Sequence, residues 1–106
     1  MNLVFHPNYD ENGFVFVQYV TPDLIIVVER YSVSENDPNV AAQNSNKLII
    51  SIPQLDGTHN GGGMVFSPFN GYLWLGSGDG GGFHNSEIFT QLLDALQGNF
   101  LRIDVD

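Results

Sequence analysis

At 106 residues the chain can hold one domain at most, or a piece of a larger one. Hydrophobic residues make up 42% and charged residues only 14%, enough for a core and too little charge for a disordered chain. Twelve acidic against three basic residues give a formal charge of −9, which would repel nucleic acid and anionic membranes, because both are held by clustered Lys and Arg.

There is no cysteine, which excludes disulfides and thiolate metal sites and leaves the redox compartment open. The first residues carry neither a basic region nor a long apolar stretch, so no signal peptide is expected. The longest apolar run, Leu24 to Val28, is far shorter than the ~20 residues that a membrane-spanning helix needs. The sequence therefore reads as soluble, with no membrane span.

Period-two and β-branched patterns dominate the first three quarters. Leu3-Val4-Phe5 predicts a short strand stopped by His6-Pro7, and Asn8 to Gly13 is dense in turn formers. Phe14 to Val20 alternates Phe14, Phe16 and Gln18 against Val15, Val17 and Tyr19, with both faces largely apolar. Leu24 to Val33 predicts a longer strand, entered through Thr21-Pro22-Asp23. Ser34 to Asn46, with Pro38 and several Asn, reads as a surface loop with room for a turn of helix around Val40-Ala41-Ala42. Lys47 to Ile52 is another strand, ended by Pro53. After a Gly-rich loop, Met64 to Phe66 and Tyr72 to Leu75 form a hairpin around Ser67-Pro68-Phe69-Asn70-Gly71. Strands apolar on both faces are expected where one sheet is sandwiched between others.

The exception is Ser86 to Gln97. Ile88, Leu92, Leu93 and Leu96 fall at helical spacing, Ser86 suits an N-cap and Gly98 a C′ position, so a short helix is predicted there. Phe100 to Val105 closes with a last strand. The reading is an all-β chain with one short helix near its C-terminus and no internal repeat legible by eye.

Two Gly-rich loops flank the hairpin: His59-Asn60-Gly61-Gly62-Gly63 before it and Gly76-Ser77-Gly78-Asp79-Gly80-Gly81-Gly82 after it. Glycines permit positive φ or close backbone approach by a ligand. A histidine in such a loop can accept a proton near neutral pH, and a nearby aspartate could orient the imidazole and stabilise its cation. The plainer readings are a loop-capping His59 and an Asp79 that closes an Asx turn. His6, at a strand end before Pro7, reads as structural; His84 sits after the glycines and could face the same loops. Gly76 to Gly81 also fits G-x-G-x-x-G, but a hairpin precedes it rather than a βαβ unit, and Asp79 would repel a pyrophosphate. Asn8-x-Asp10-x-Asn12-Gly13 resembles the start of an EF-hand loop, but its twelfth position is Tyr19 rather than Glu. Phe66, Phe69, Tyr72 and Trp74 could stack on sugars, although at strand spacing most are expected in the core.

Taken together, these segments resemble the soluble, quinone-dependent glucose and sorbosone dehydrogenases. His59-Asn60-Gly61-Gly62 with Met64-Val65-Phe66-Ser67-Pro68 is similar to the family's "HNGG…(L/A)xFGP" segment. Tyr72-Leu73-Trp74-Leu75-Gly76-Ser77-Gly78-Asp79-Gly80-Gly81 is similar to "YLYxSxGDGG". Leu92-Leu93 and Gly98 to Asp106 resemble "LLGKILRIDVD", and Leu3 to Tyr9 with Asn12 to Val17 resembles "LAFHPDFxxNGYxYV". Four motifs in family order cover nearly the whole chain.

The resemblance implies a six-bladed β-propeller that binds pyrroloquinoline quinone (PQQ) with calcium and oxidises aldose sugars outside the cytoplasm. It maps the general base onto His59 and a neighbouring pocket residue onto Asp79, and it makes Asn60, Gly61, Gly62 and Gly80 the cofactor-contacting positions, with no metal ligand assigned. Residues 1–106 then form one partial propeller domain of about two four-stranded blades, with no second domain. Bare outer sheet faces would require the missing blades or self-association.

Several departures qualify this. The family's segment before "LAFHP", with its active-site glutamine, is absent; Gly63 replaces a commonly basic residue; and the Pro68 to Gly71 turn is one residue longer than usual. Leu96-Gln97-Gly98 also suggests a helix insertion or a rephrasing before the last strand. PQQ carries three carboxylates, and the family's cationic clamp comes from later blades. The cations of this chain, Arg30, Lys47 and Arg102, are expected on strands, away from the Gly-rich loops. The expectation is a fragment of a sugar dehydrogenase, inactive alone. Its rival is a non-catalytic propeller module that binds a protein or glycan.

Overall fold

The computed structural model describes residues 1–82 and 90–106. In chain order the elements are β1 (Asn2–Phe5), α1 (Tyr9–Asn12), β2 (Phe14–Val20), β3 (Ile25–Ser32), β4 (Lys47–Pro53), β5 (Met64–Phe66), β6 (Leu73–Gly76) and β7 (Phe100–Ile103). They pair into two antiparallel meanders, a four-stranded sheet β1-β2-β3-β4 and a three-stranded sheet β5-β6-β7. This is the all-β architecture of a propeller fragment, with three rather than four strands described in the second sheet.

Alternation within the strands decides what is buried. Phe16 lies opposite Arg30, Gln18 opposite Val28, and Val28 and Ile26 opposite Ile50 and Ile52, so these share the inner face of the first sheet. Met64, Leu75 and Leu101 are in register on the second sheet, as are Phe66, Leu73 and Ile103. The two inner faces pack together, and Phe16, Ile26, Val28, Ile52, Leu73 and Leu75 are fully buried between them. Each such side chain stabilises the stack by about 1.5–3 kcal/mol relative to leaving it in water. On the opposite faces Leu3, Phe5 and Val65 remain exposed.

Local chemistry departs from the sequence reading at several points, among them the end of β7, which closes at Ile103 rather than Val105. Leu24 has φ of 57° and forms the turn, so β3 begins at Ile25. Asn8 to Gly13 wraps into a single helical turn that ends on Gly13 in the left-handed region. Ala41 forms an isolated bridge with Val33, so no helical turn forms around Val40-Ala41-Ala42. The predicted helix is not formed over residues 90–97, which are successive turns; residues 86–89 of that prediction lie outside the described residues. An isolated helix of about 12 residues is marginal without a packed face. Leu93 is 99% exposed, and Leu92 and Leu96 are only partly covered.

Candidate functional site

The two Gly-rich loops meet at one end of the sheets, where backbone rather than side chains builds the contact. Gly76 N–H donates to the Gly63 carbonyl (2.8 Å) and Gly80 N–H to the His59 carbonyl (3.2 Å). Gly61 and Gly78 adopt φ of 69° and 66°. A Cβ on Gly61 would lie 2.6 Å from the Ser77 carbonyl carbon, and one on Gly78 would lie 2.9 Å from the His59 carbonyl carbon. Only glycine permits both the left-handed backbone and this approach. Asn2, at the start of β1, ties the first sheet to the loop by donating from Nδ2 to the Gly62 carbonyl (2.8 Å).

These loops bring His59 and Asp79 together. His59 Nδ1 lies 3.1 Å from Asp79 Oδ1, which also accepts the Gly81 N–H at 3.0 Å. Asp79 Oδ1 thus closes an Asx turn and contacts the imidazole with the same oxygen. A carboxylate only accepts, so Nδ1 carries the proton and Nε2 of the neutral ring presents its lone pair. The His59 side chain is 68% exposed and Asp79 20%. His59 itself has φ of 56°, a region sparsely populated for a non-glycine residue. Such an arrangement can accept a proton from an approaching hydroxyl.

The other predicted positions differ in what they leave free. Asn60 has a buried Oδ1 with no hydrogen-bond partner among the described residues. Gly61 is wedged against the second loop, nothing stands above Gly62, and the amide and carbonyl of Gly80 are both engaged, by His59 and by the Asp56 N–H at 2.9 Å. His84 lies outside the described residues. Of the aromatics, Phe66 is in the core against Phe16, Tyr72 lies beneath Arg102, and Trp74 faces outward; Phe69 is 95% exposed on the hairpin tip.

Ser77 was not singled out by the sequence reasoning. It is fully buried, and its hydroxyl donates to the Leu96 carbonyl (2.6 Å) and accepts the Asn99 N–H (3.3 Å). Ser77 thus anchors the segment leading into β7 behind the His59 loop. A small polar residue between two glycines was the available signal.

The cations stand elsewhere. Arg30 lies 3.9 Å from the centre of the Phe14 ring, Lys47 is opposite Arg30 in register, and both line a groove of about 550 Å³ beside Asp104 and Asp106. That groove is at the far end of the sheets from His59. Arg102 stacks at 4.8 Å over Tyr72 on the outer face. Burying several carboxylates without cations costs several kcal/mol each, so the residues present do not fit a tricarboxylate quinone by themselves. Among the described residues no group of three or more His, Cys, Asp or Glu is placed to hold a metal ion.

An antiparallel two-sheet propeller fragment with a histidine–carboxylate pair between Gly-rich loops defines the class. The family model "Glucose / Sorbosone dehydrogenase" matches residues 1–106. The chain belongs to the glucose/sorbosone dehydrogenase family. It is 31% identical to the Hedgehog-interacting protein of Mus musculus and of Homo sapiens, over 100% of this chain and 16% of each relative. It is 47% identical over 44% of its length to the HIPL2 protein of Arabidopsis thaliana, covering 7% of that protein. A solved "glucose dehydrogenase" shares its fold with a TM-score of 0.74 at 23% identity, over 97% of this chain and 30% of that one. The chain thus spans a small part of each of these proteins. No helix among the described residues is long and apolar enough to cross a membrane.

Proposed function

We propose that the chain supplies the base of a sugar-oxidising propeller site. Nε2 of His59 takes the proton of an aldose hydroxyl, while Asp79 holds the ring through Nδ1 and balances the imidazolium that forms. The observation that carries this reading is the 3.1 Å His59–Asp79 contact with the ring's other nitrogen open to solvent. Oxidation also needs a two-electron acceptor. Family resemblance names PQQ with calcium, and because no cation lies beside His59, the acceptor would be held by side chains beyond the described residues. An extracytoplasmic setting belongs to the same reading, and fractionation of the source cells checks it.

The test is dye reduction with an aldose, PQQ and Ca²⁺ by the longer protein that contains this segment. His59→Ala should lower turnover about 10²–10⁴-fold, the usual contribution of a positioned base. Asp79→Asn should lower it less, and the 106-residue chain alone should be inactive. Turnover unchanged by His59→Ala would overturn the assignment.

A second reading is a non-catalytic module that binds a protein or glycan. What favours it is the match along the whole chain to Hedgehog-interacting protein, together with the missing local cations. Calorimetric titration of the longer protein with PQQ separates the two: no quinone binding supports the module.

A further inference from the structure

The sequence holds three Asn-Gly pairs: Asn12-Gly13, Asn60-Gly61 and Asn70-Gly71. Glycine has no Cβ to shield its amide nitrogen, so that nitrogen can reach the Cγ of the asparagine before it. The attack requires the carboxamide to turn toward the following peptide and the Gly N–H to give up its proton. Hydrogen bonds to either group, and packing around them, oppose both. The fold treats the three pairs unequally.

Asn12 is fixed at each end. Its Oδ1 accepts the Phe14 N–H at 3.0 Å, and its Nδ2 lies 2.8 Å from Nδ1 of the buried His6. The Gly13 N–H is tied to the Tyr9 carbonyl at 2.8 Å, and Gly13 is itself buried. Asn60 is held by packing instead. Its Oδ1 is buried, and Gly61 is wedged against Gly76 to Gly78. The peptides on either side are pinned to the second loop, Gly80 N–H donating to the His59 carbonyl at 3.2 Å and Gly62 N–H to the Gly76 carbonyl at 3.4 Å.

Asn70 differs on every count. It is exposed at the tip of the β5–β6 hairpin, where residues 67–71 include no buried side chain. Its Oδ1 accepts the Tyr72 N–H at 3.3 Å, beyond the usual range of about 2.7–3.2 Å for such a bond. The Gly71 N–H donates to the Ser67 carbonyl at 3.1 Å, within the same turn, and nothing stands within 4 Å of the Cβ position of Gly71. Opening this turn disturbs no part of the core.

We propose that Asn70 is a site of spontaneous deamidation, and that the fold shields Asn12 and Asn60 from the same reaction. The Gly71 nitrogen, its proton lost to solvent base, bonds to Asn70 Cγ. The Cγ–Nδ2 bond breaks, and Nδ2 takes a proton from solvent and leaves as ammonia. The cyclic imide that remains is opened by water at either carbonyl, giving aspartate or isoaspartate. One water is consumed and one ammonia released, with no oxidant or reductant. The tip gains a carboxylate, while the loop that carries His59 keeps its asparagine. None of this depends on a chemical role for His59, and its test contains neither sugar nor quinone.

The longer protein that contains this segment, incubated folded in mildly alkaline buffer, gives the test by peptide mapping in the mass spectrometer over time. Asn70 should convert at least about tenfold faster than Asn12 or Asn60, because a closed site reacts only during the small fraction of time it opens. Labelling by an isoaspartyl methyltransferase should concentrate on the same peptide, and Asn70→Gln should remove that label. In urea the difference among the three pairs should collapse, since only the fold separates them. Asn70 converting no faster than the other two in the folded protein, or the same order and spread persisting in urea, would overturn the proposal.

Discussion

Two histidine–carboxylate pairs stand at opposite ends of the sheets with nearly the same spacing. His6 Nε2 is 3.0 Å from Asp106 Oδ1, and His59 Nδ1 is 3.1 Å from Asp79 Oδ1. Their surroundings differ. The His6 side chain is 3% exposed and that of His59 68%. His6 Nδ1 accepts the Asn8 N–H at 3.1 Å and lies 2.8 Å from Asn12 Nδ2, so the proton is on Nε2 and both nitrogens are occupied. Its ring packs edge-on to Phe14 and Phe66 and tilted on Phe16, joining the two sheets. The lesson is that His–Asp distance does not identify a base; an unoccupied second nitrogen and an open approach do.

The comparison also separates two ways of building a site. Side chains hold the His6 end, whereas interlocked backbone holds the His59 end. The sharpest way to break the latter is Gly78→Ala, which forces a Cβ into the His59 carbonyl group at φ of 66°. The expected loss is about 3–4 kcal/mol of stability, read from the denaturant midpoint. Gly63→Ala is the matched control: nothing lies within 4 Å of its added Cβ, and the change should stay within about 0.5 kcal/mol.

Next in size is the histidine pair itself. His6→Ala removes a buried ring and leaves Asn12 and Asp106 without a shared partner, which should cost about 2–3 kcal/mol. His59→Ala, on an exposed ring, should shift stability by no more than about 0.5 kcal/mol. If the two variants unfold alike in urea, the division between a structural and a free histidine fails.

Much of this was legible beforehand because it depends on neighbours in sequence. Phe14 to Val20 is β2 as read, since its alternation and the Gly13 stop are local signals. His6 as structural and the His59–Asp79 pairing were also within reach, the second through motif resemblance rather than spacing. What was not legible depends on contacts distant in sequence. The apolar period over residues 86–97 suggested a helix, but over residues 90–97 the segment is held as turns, with Ser77 Oγ donating to the Leu96 carbonyl at 2.6 Å from 19 residues away. No local pattern encodes a partner some twenty residues away. That Arg30 and Lys47 lie away from the Gly-rich loops was read from the sequence; that they stand opposite each other was not, because it follows from β3–β4 register.

The smallest effect comes from a third ionisable cluster, which tests whether exposed carboxylate chemistry here matters to folding at all. Hydrogen bonds from Tyr31 first, then from Asn46 and Tyr19, hold the Glu29 pKa below its ordinary value against opposing desolvation. The Tyr31 hydroxyl, which donates to that carboxylate, is pushed up to about 12, mainly by the same bond. The signs are opposite. Glu29 contributes stability above its unfolded-state pKa and loses it as pH falls through the lower folded value. Tyr31 contributes below its unfolded pKa of about 10 and loses its share as pH rises toward 12. Both lie near the surface, so solvent and salt screen the effect. Melting temperatures followed from pH 9 upward should fall less steeply in Tyr31→Phe than in the parent chain. Between pH 5 and pH 2, Glu29→Gln should flatten the acid limb by a similarly small amount. Parallel limbs in parent and variants would mean that the Tyr19–Glu29–Tyr31 bonds form only in the folded ground state without net stabilisation.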